Sequence, residues 1–121
     1  MSSWKIKEID NLQSVSSEEL RKIQHKYPGF VPIIIHGKNV ELKKTRYITK
    51  GQLTFRKFVE IVRQNCSGIT PHDILFFTAN GIFIPSQQQI DKIYNSYKKD
   101  DGFLHIHVWT EHNFFSMTGR C

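Results

Sequence analysis

Cysteine is scarce in this 121-residue chain: only Cys66 and Cys121 occur, far apart and outside any metal-ligand spacing. Neither a disulfide framework nor a zinc fold is expected, and both thiols read as reduced. Cys121 is the last residue, whereas a prenylation box needs three more, so that lipid route is not expected. Long apolar runs are missing too. None approaches the roughly 20 residues that cross a bilayer, and Met1 to Asp10 lacks the charged-then-apolar layout of a secretory signal. A cytoplasmic protein is expected. There is no glycine-rich phosphate loop and no paired-carboxylate motif, which leaves little from which to build an enzyme. The one Cys/His pair that can be written, Cys66 with His72, reads as an inert thiol because Cys66 falls on the apolar side of a helical pattern. No cofactor is implied.

What is present is ordinary globular composition, 39% hydrophobic and 23% charged, at a length that suits one domain with a real core. The net charge of +6 favours anionic partners without choosing among acidic peptides, lipid headgroups and nucleic acid.

Along the chain, Ser2 to Val15 mixes polar and apolar residues loosely; it reads as a short helix with Trp4, Ile6, Ile9 and Leu12 available for docking. Ser16 and Glu19 make a capping box for a second helix, with Leu20 and Ile23 as its apolar edge and Pro28-Gly29 as its stop. Phe30 to Ile35 is a β-branched run expected as a central strand, followed by the turn-like His36-Gly37-Lys38-Asn39 and a second, antiparallel strand over Arg46 to Lys50. Thr54 caps a helix whose apolar residues Phe55, Phe58, Val59, Val62 and Cys66 keep helical spacing. Then come a strand at Ile74 to Thr78, the turn Asn80-Gly81, a short edge strand Ile82 to Pro85, and a short helix through Ile90, Ile93, Tyr94 and Tyr97 with Ser86 as its cap. The last strand, Phe103 to Trp109, puts Leu104, Ile106 and Val108 on one face and Phe103, His105, His107 and Trp109 on the other. This order predicts an α+β fold, the β-grasp of ubiquitin, with a helical prefix that covers the second face of the sheet. The expected division is an N-terminal helical extension over 1–28, a ubiquitin-like β-grasp domain over 29–115 and a flexible C-terminal tail over 116–121.

Five ordered stretches carry a family resemblance: Lys26-Tyr27-Pro28-Gly29-Phe30-Val31-Pro32-Ile33-Ile34, Arg46-Tyr47-Ile48, Leu53-Thr54-Phe55 with Phe58, Ile61-Val62-Arg63, and Asp100-Asp101-Gly102-Phe103-Leu104. From about Glu18 to Phe115 the chain resembles the autophagy ubiquitin-like modifiers, the GABARAP-type group. That resemblance implies docking of extended aromatic-x-x-aliphatic peptides by strand addition at the second strand. Carried over residue by residue, it implies an aromatic pocket of Glu19, Ile23, Pro32, Arg46, Ile48 and Phe103. It implies an aliphatic pocket of Tyr47, Thr49, Leu53, Phe58, Ile61 and Arg63. Lys43, Lys44 and Arg46 would attract acidic residues that flank the motif. Read as residues alone, Ile48, Leu53, Phe58 and Ile61 serve a core equally well, and Arg46 and Arg63 a solvated surface.

The chain departs from the family pattern in three places. The His36 to Lys44 connection is short; Thr49-Lys50 stands where an aliphatic residue and proline are usual; and Phe114-Phe115 stands where an aromatic and the reactive glycine are usual. The nearest glycine is Gly119. The resemblance implies cleavage after Gly119 by a cysteine protease, then passage through activating and conjugating enzymes to phosphatidylethanolamine, since a glycine end threads narrow channels. The implied partners are short-motif receptors and adaptors, those processing enzymes and, once lipidated, the autophagosomal membrane.

His105, His107 and His112 form a pattern that suggests a metal, but without a completing cysteine or carboxylate nearby they read as half-covered histidines, and no metal is expected. The alternative to a modifier is a basic interaction module, never conjugated, that binds peptides, a cytoskeletal polymer, a membrane surface or RNA. Its charges are scattered along the chain rather than gathered, which places nucleic acid below peptide.

Overall fold

The structure, a computed structural model, describes residues 6–8 and 17–111. Where a short helix was expected, Ile6–Glu8 is a strand, β1. It pairs antiparallel with β4 (Arg46–Lys50), setting Ile6 opposite Thr49, Lys7 opposite Ile48 and Glu8 opposite Tyr47. The free edge of β4 offers backbone partners, and this tertiary pairing overrides weak local preference. Trp4, Ile9, Leu12 and the Ser16–Glu19 cap lie outside what is described at side-chain level.

Helix α1 (Ser17–Lys26) carries Leu20 and Ile23 on one edge, as expected. It ends in a turn where the Tyr27 N–H donates to the Ile23 carbonyl at 2.9 Å and Gly29 takes φ 80°. Strand β2 (Phe30–Gly37) follows, with Val31 through Ile35 all buried, which is why its apolar run is continuous rather than alternating. Pro32 precedes the first β8 pairing, at Ile33, so the ladder to β8 (Leu104–Thr110) loses no donor there.

The connection to β4 contains β3 (Glu41–Leu42), which pairs with β5 (Cys66–Ser67) in a small second sheet. Consequently α2 spans Phe55–Gln64 and stops short of Cys66, which had been expected on the helix. Asn65 ends it by donating its N–H to the Val62 carbonyl and its Nδ2 to the Ile61 carbonyl. At the other end Thr54 Oγ1 accepts from the Lys57 N–H, the expected cap. Strands β6 (Leu75–Ala79) and β7 (Ile82–Phe83) flank the turn at Asn80-Gly81, both in positive φ. Helix α3 (Ile90–Tyr97) is entered from Gln89, not Ser86. The chain instead turns at Ser86-Gln87, with the Gln88 N–H donating to the Pro85 carbonyl at 3.2 Å, and then ties the two helices together: Phe55 N–H donates to the Gln88 carbonyl at 2.8 Å, and Ile90 N–H to the Leu53 carbonyl at 2.9 Å.

The six-stranded sheet has the order β1-β4-β2-β8-β6-β7, with β2 and β8 parallel at its centre and the other pairs antiparallel. Phe55, Phe58 and Val62 of α2 and Ile90 and Ile93 of α3 pack on one face, against Ile33, Ile35, Leu104, Ile106 and Val108. Fully burying one such side chain contributes about 1.5–3 kcal/mol. On the other face α1 lays Leu20 and Ile23 over Ile34, Ile48 and Phe103. Gly102 makes room for that helix: it takes φ 88°, and a Cβ there would lie 2.5 Å from Leu20 Cδ2.

Candidate functional site

Strand β4 joins the two cores. Side chains alternate along a strand, so Ile48 enters the α1-side cluster with Leu20, Ile34 and Phe103. Tyr47 enters the α2-side core. There its ring meets Phe58 edge-on at 5.4 Å, and its hydroxyl donates to the Lys44 carbonyl at 3.2 Å while accepting from Asn65 Nδ2 at 3.1 Å. One side of β4 pairs with β2 from Phe30 opposite Lys50 to Ile34 opposite Arg46; the other pairs with β1.

The two residue sets named from the sequence separate by face. On the α1 face, Ile23, Ile48 and Phe103 share one cluster, Pro32 lies opposite Ile48, and Arg46 lies two residues along the same side. Glu19 belongs to α1, but its side chain lies outside the described residues. On the α2 face, Tyr47, Leu53 and Phe58 are core and Ile61 packs against it. Arg63 is half-buried, its guanidinium donating to the Asp73 carbonyl at 2.6 Å and the Thr70 carbonyl at 3.4 Å. Thr49 is wholly buried.

This layout has a chemical meaning. In an extended peptide, residues three apart point to opposite sides of the strand. A chain lying along the outer edge of β4 would therefore send an aromatic anchor to one face and an aliphatic anchor three residues on to the other. In the state described, however, β1 lies on that edge, and Tyr47, Thr49, Leu53 and Phe58 are at most 2% exposed. Open hollows lie elsewhere. One of about 430 Å³ runs between α2 and the β6–β7 hairpin, lined by Phe55, Val59, Phe77 and Phe83. Another of about 430 Å³ at the end of α2 touches the expected aliphatic set only at Arg63.

Residues 16–116 match the family described as "Autophagy protein Atg8 ubiquitin like". The chain belongs to the Atg8 family. It is 27% identical over 103 residues to Autophagy-related protein 8 of Dictyostelium discoideum, covering 82% of this chain and 84% of that one. It is 28% identical over 114 residues to Autophagy-related protein 8a of Arabidopsis thaliana, covering 91% and 93%. Among solved structures, that of Trypanosoma brucei ATG8 superposes with a TM-score of 0.69 at 25% identity, over 87% of this chain and 97% of the other. The α+β fold is thus the ubiquitin-like fold of Atg8 proteins, and this member is a ubiquitin-like autophagy protein.

Beside the α1 cluster this Atg8-family chain carries a histidine network. The His36 ring stacks between His105 and His107, with centroids 5.1 and 4.8 Å away. Asp101 Oδ2 lies 2.8 Å from His105 Nε2, and His105 Nδ1 lies 2.8 Å from His36 Nε2. A carboxylate only accepts, so His105 Nε2 carries a proton, its Nδ1 accepts, and His36 Nε2 donates when both rings are neutral. Burial, then the His107 and His105 rings, push the His36 pKa down. Burial raises the Asp101 carboxyl, but the Phe103 N–H and the His105 ring outweigh it and the net shift is downward. Sequence reasoning found no carboxylate for these histidines because Asp101 reaches them around the Gly102 turn. His112 lies outside the described residues.

Sequence reasoning also missed the partner of β4. Its signal is Trp4-Lys5-Ile6-Lys7, where apolar and basic residues alternate with the period of a strand. Among the described residues no helix is long and apolar enough to cross a membrane. Gly119, Phe114 and Phe115 lie outside the described residues.

Proposed function

We propose that this Atg8-family protein is a non-enzymatic modifier that recruits receptors and adaptors by accepting their aromatic-x-x-aliphatic segments along the outer edge of β4. The observation that carries the reading is the division of Ile48 and Tyr47, consecutive residues of that edge, between clusters on opposite faces. A motif with three-residue spacing needs two such faces. Main-chain pairing supplies affinity, and the two anchors supply selection. The aromatic anchor is received by Glu19, Ile23, Pro32, Arg46, Ile48 and Phe103. The aliphatic anchor is received by Tyr47, Thr49, Leu53, Phe58, Ile61 and Arg63. Lys43, Lys44 and Arg46 steer acidic flanks toward the edge.

The protein is cytoplasmic until a cysteine protease cuts after Gly119. Activating and conjugating enzymes then join the new carboxylate to phosphatidylethanolamine on the autophagosomal membrane. The docking test is a titration of the isotopically labelled protein with an acidic Trp-x-x-Leu peptide. Shifts concentrated in β4, α1 and α2 support the reading, and the same shifts with a peptide whose Trp and Leu are both Ala defeat it.

A second reading, docking without conjugation, is favoured by Phe114-Phe115 standing at the usual aromatic-glycine position. Intact mass of the protein from its own cells separates the two. Loss of Arg120-Cys121 with gain of a phospholipid supports conjugation, and an unmodified chain supports the second reading.

A further inference from the structure

Among the described residues the outer edge of β4 has one occupant, and it belongs to the chain itself. Strand β1 uses Tyr47, Ile48 and Thr49, the three residues at the centre of the proposed docking edge. The opposite edge of β4 is held by β2 through pairs at Phe30, Val31, Pro32, Ile33 and Ile34, in a ladder continuous with the central β2–β8 pair. Any extended partner that adds to β4 must therefore take the place of β1.

We propose that β1 is an internal ligand that closes the docking edge, so that a receptor peptide binds only the fraction of molecules from which β1 has been released. The proposal rests on the strand-addition reading above. Three features of the chain suit β1 to this role. It is short: Ile6–Glu8 offers fewer pairs than the ladder from Phe30 to Ile34, so its release leaves the central sheet intact. It is tethered: it belongs to the same chain and precedes α1 by eight residues, so it competes for β4 intramolecularly, whereas a receptor peptide must arrive from solution. Finally, it ends the sheet in Lys7 and Glu8, charged residues of the type that keep an exposed edge from recruiting further strands. In the closed state β4 is thereby shielded from adventitious pairing, and in the open state it is exposed to a partner.

The quantitative consequence is a lowered apparent affinity. When the competent state is a fraction f of the population, the apparent Kd is the intrinsic value divided by f. A β1 that is seated nine-tenths of the time weakens binding about tenfold.

The test uses the full chain and its Lys7→Pro variant, since proline within a short strand removes a ladder donor and restricts φ. Amide exchange is read in the free proteins at Ile48, whose N–H faces β1, with Tyr47 and Thr49, whose N–H groups face β2, as references, and affinity is measured with an acidic Trp-x-x-Leu peptide and its double-alanine control. The expected result has two parts: faster exchange of the Ile48 amide, and binding about tenfold tighter in the variant. Equal affinity in both proteins, with the peptide bound specifically, overturns the gate and leaves the docking edge standing. Faster exchange in the variant without specific peptide binding by either protein overturns the docking edge, and the gate with it. Unchanged exchange together with tighter binding also overturns the gate, since the gain would then have arisen away from the edge.

Discussion

Tyr47 and Ile48 are joined by one peptide bond, yet the first closes against Phe58 in the α2 core and the second against Leu20 and Phe103 under α1. That division follows from strand geometry alone. It makes β4 a member of both cores. It also means that substitutions here report on folding and on docking together, so each role needs its own measurement.

Phe58→Ala and Ile61→Ala separate core from rim. Phe58 is wholly buried, and its truncation is expected to destabilise the protein by about 3–5 kcal/mol. Ile61 is only half-buried and its truncation is expected to cost about 1 kcal/mol. Urea denaturation of both variants decides the matter: equal losses would remove the distinction.

Thr49 carries a different signature. Its Oγ1 is buried without a hydrogen-bond partner among the described residues. A buried hydroxyl left unpaired costs about 1–3 kcal/mol, so Thr49→Val should raise the urea midpoint, stabilising by about 1 kcal/mol with an unchanged slope. A lower midpoint would mean that the hydroxyl is satisfied.

The histidine network predicts a pH dependence whose sign is determined by burial. His36 titrates below its ordinary value of 6.5 in the folded protein, so below that pH the unfolded chain binds more protons and stability falls as pH drops. The urea midpoint should be lower at about pH 5.5 than at about pH 7.5, and His36→Gln should flatten the difference. Asp101 adds a separate loss at more acid pH, where the unfolded carboxyl protonates before the folded one. A wild-type midpoint level from neutral to mildly acid pH would contradict the His36 assignment.

Gly102→Ala tests the seat of α1. The residue has φ 88° and would drive a Cβ to 2.5 Å from Leu20 Cδ2. Backbone strain of this kind costs about 1–3 kcal/mol, and amide exchange should accelerate in α1 more than in α2. Uniform acceleration across both helices would show that α1 does not yield independently.

The tail makes its own prediction: Gly119→Ala should block both removal of Arg120-Cys121 and attachment of lipid. Ordinary processing of the variant, seen by intact mass, would take Gly119 out of the role.

Much of this fold was legible because it is local. The continuous run Val31 to Ile35 announces a strand covered on both faces, and the alternation Leu104, Ile106, Val108 announces which face meets α2. The errors fall where distant chain decides. Cys66 fits the helical period of α2, yet Leu42 draws it into a two-stranded sheet. Ser86 has the chemistry of a cap, yet it lies in a turn and Gln89 enters α3, because the Gln88 carbonyl and the Ile90 N–H are bonded to Phe55 and Leu53. Among the candidate site residues, both sets follow from the family resemblance, and the sequence could not tell hollow from filled. Exposure depends on what lies opposite, and that partner is remote in the chain.

The amino-acid sequence by itself determined the succession of main elements from α1 to β8 and the resemblance to the autophagy ubiquitin-like modifiers, because periodicity and motif spacing are properties of neighbouring residues. Only the tertiary structure decided that Ile6–Glu8 occupies the edge of β4 and that Asp101, His105 and His36 form one hydrogen-bonded chain. Both depend on backbone and side-chain partners brought together by the closing of the sheet, and no local pattern encodes which distant group will arrive.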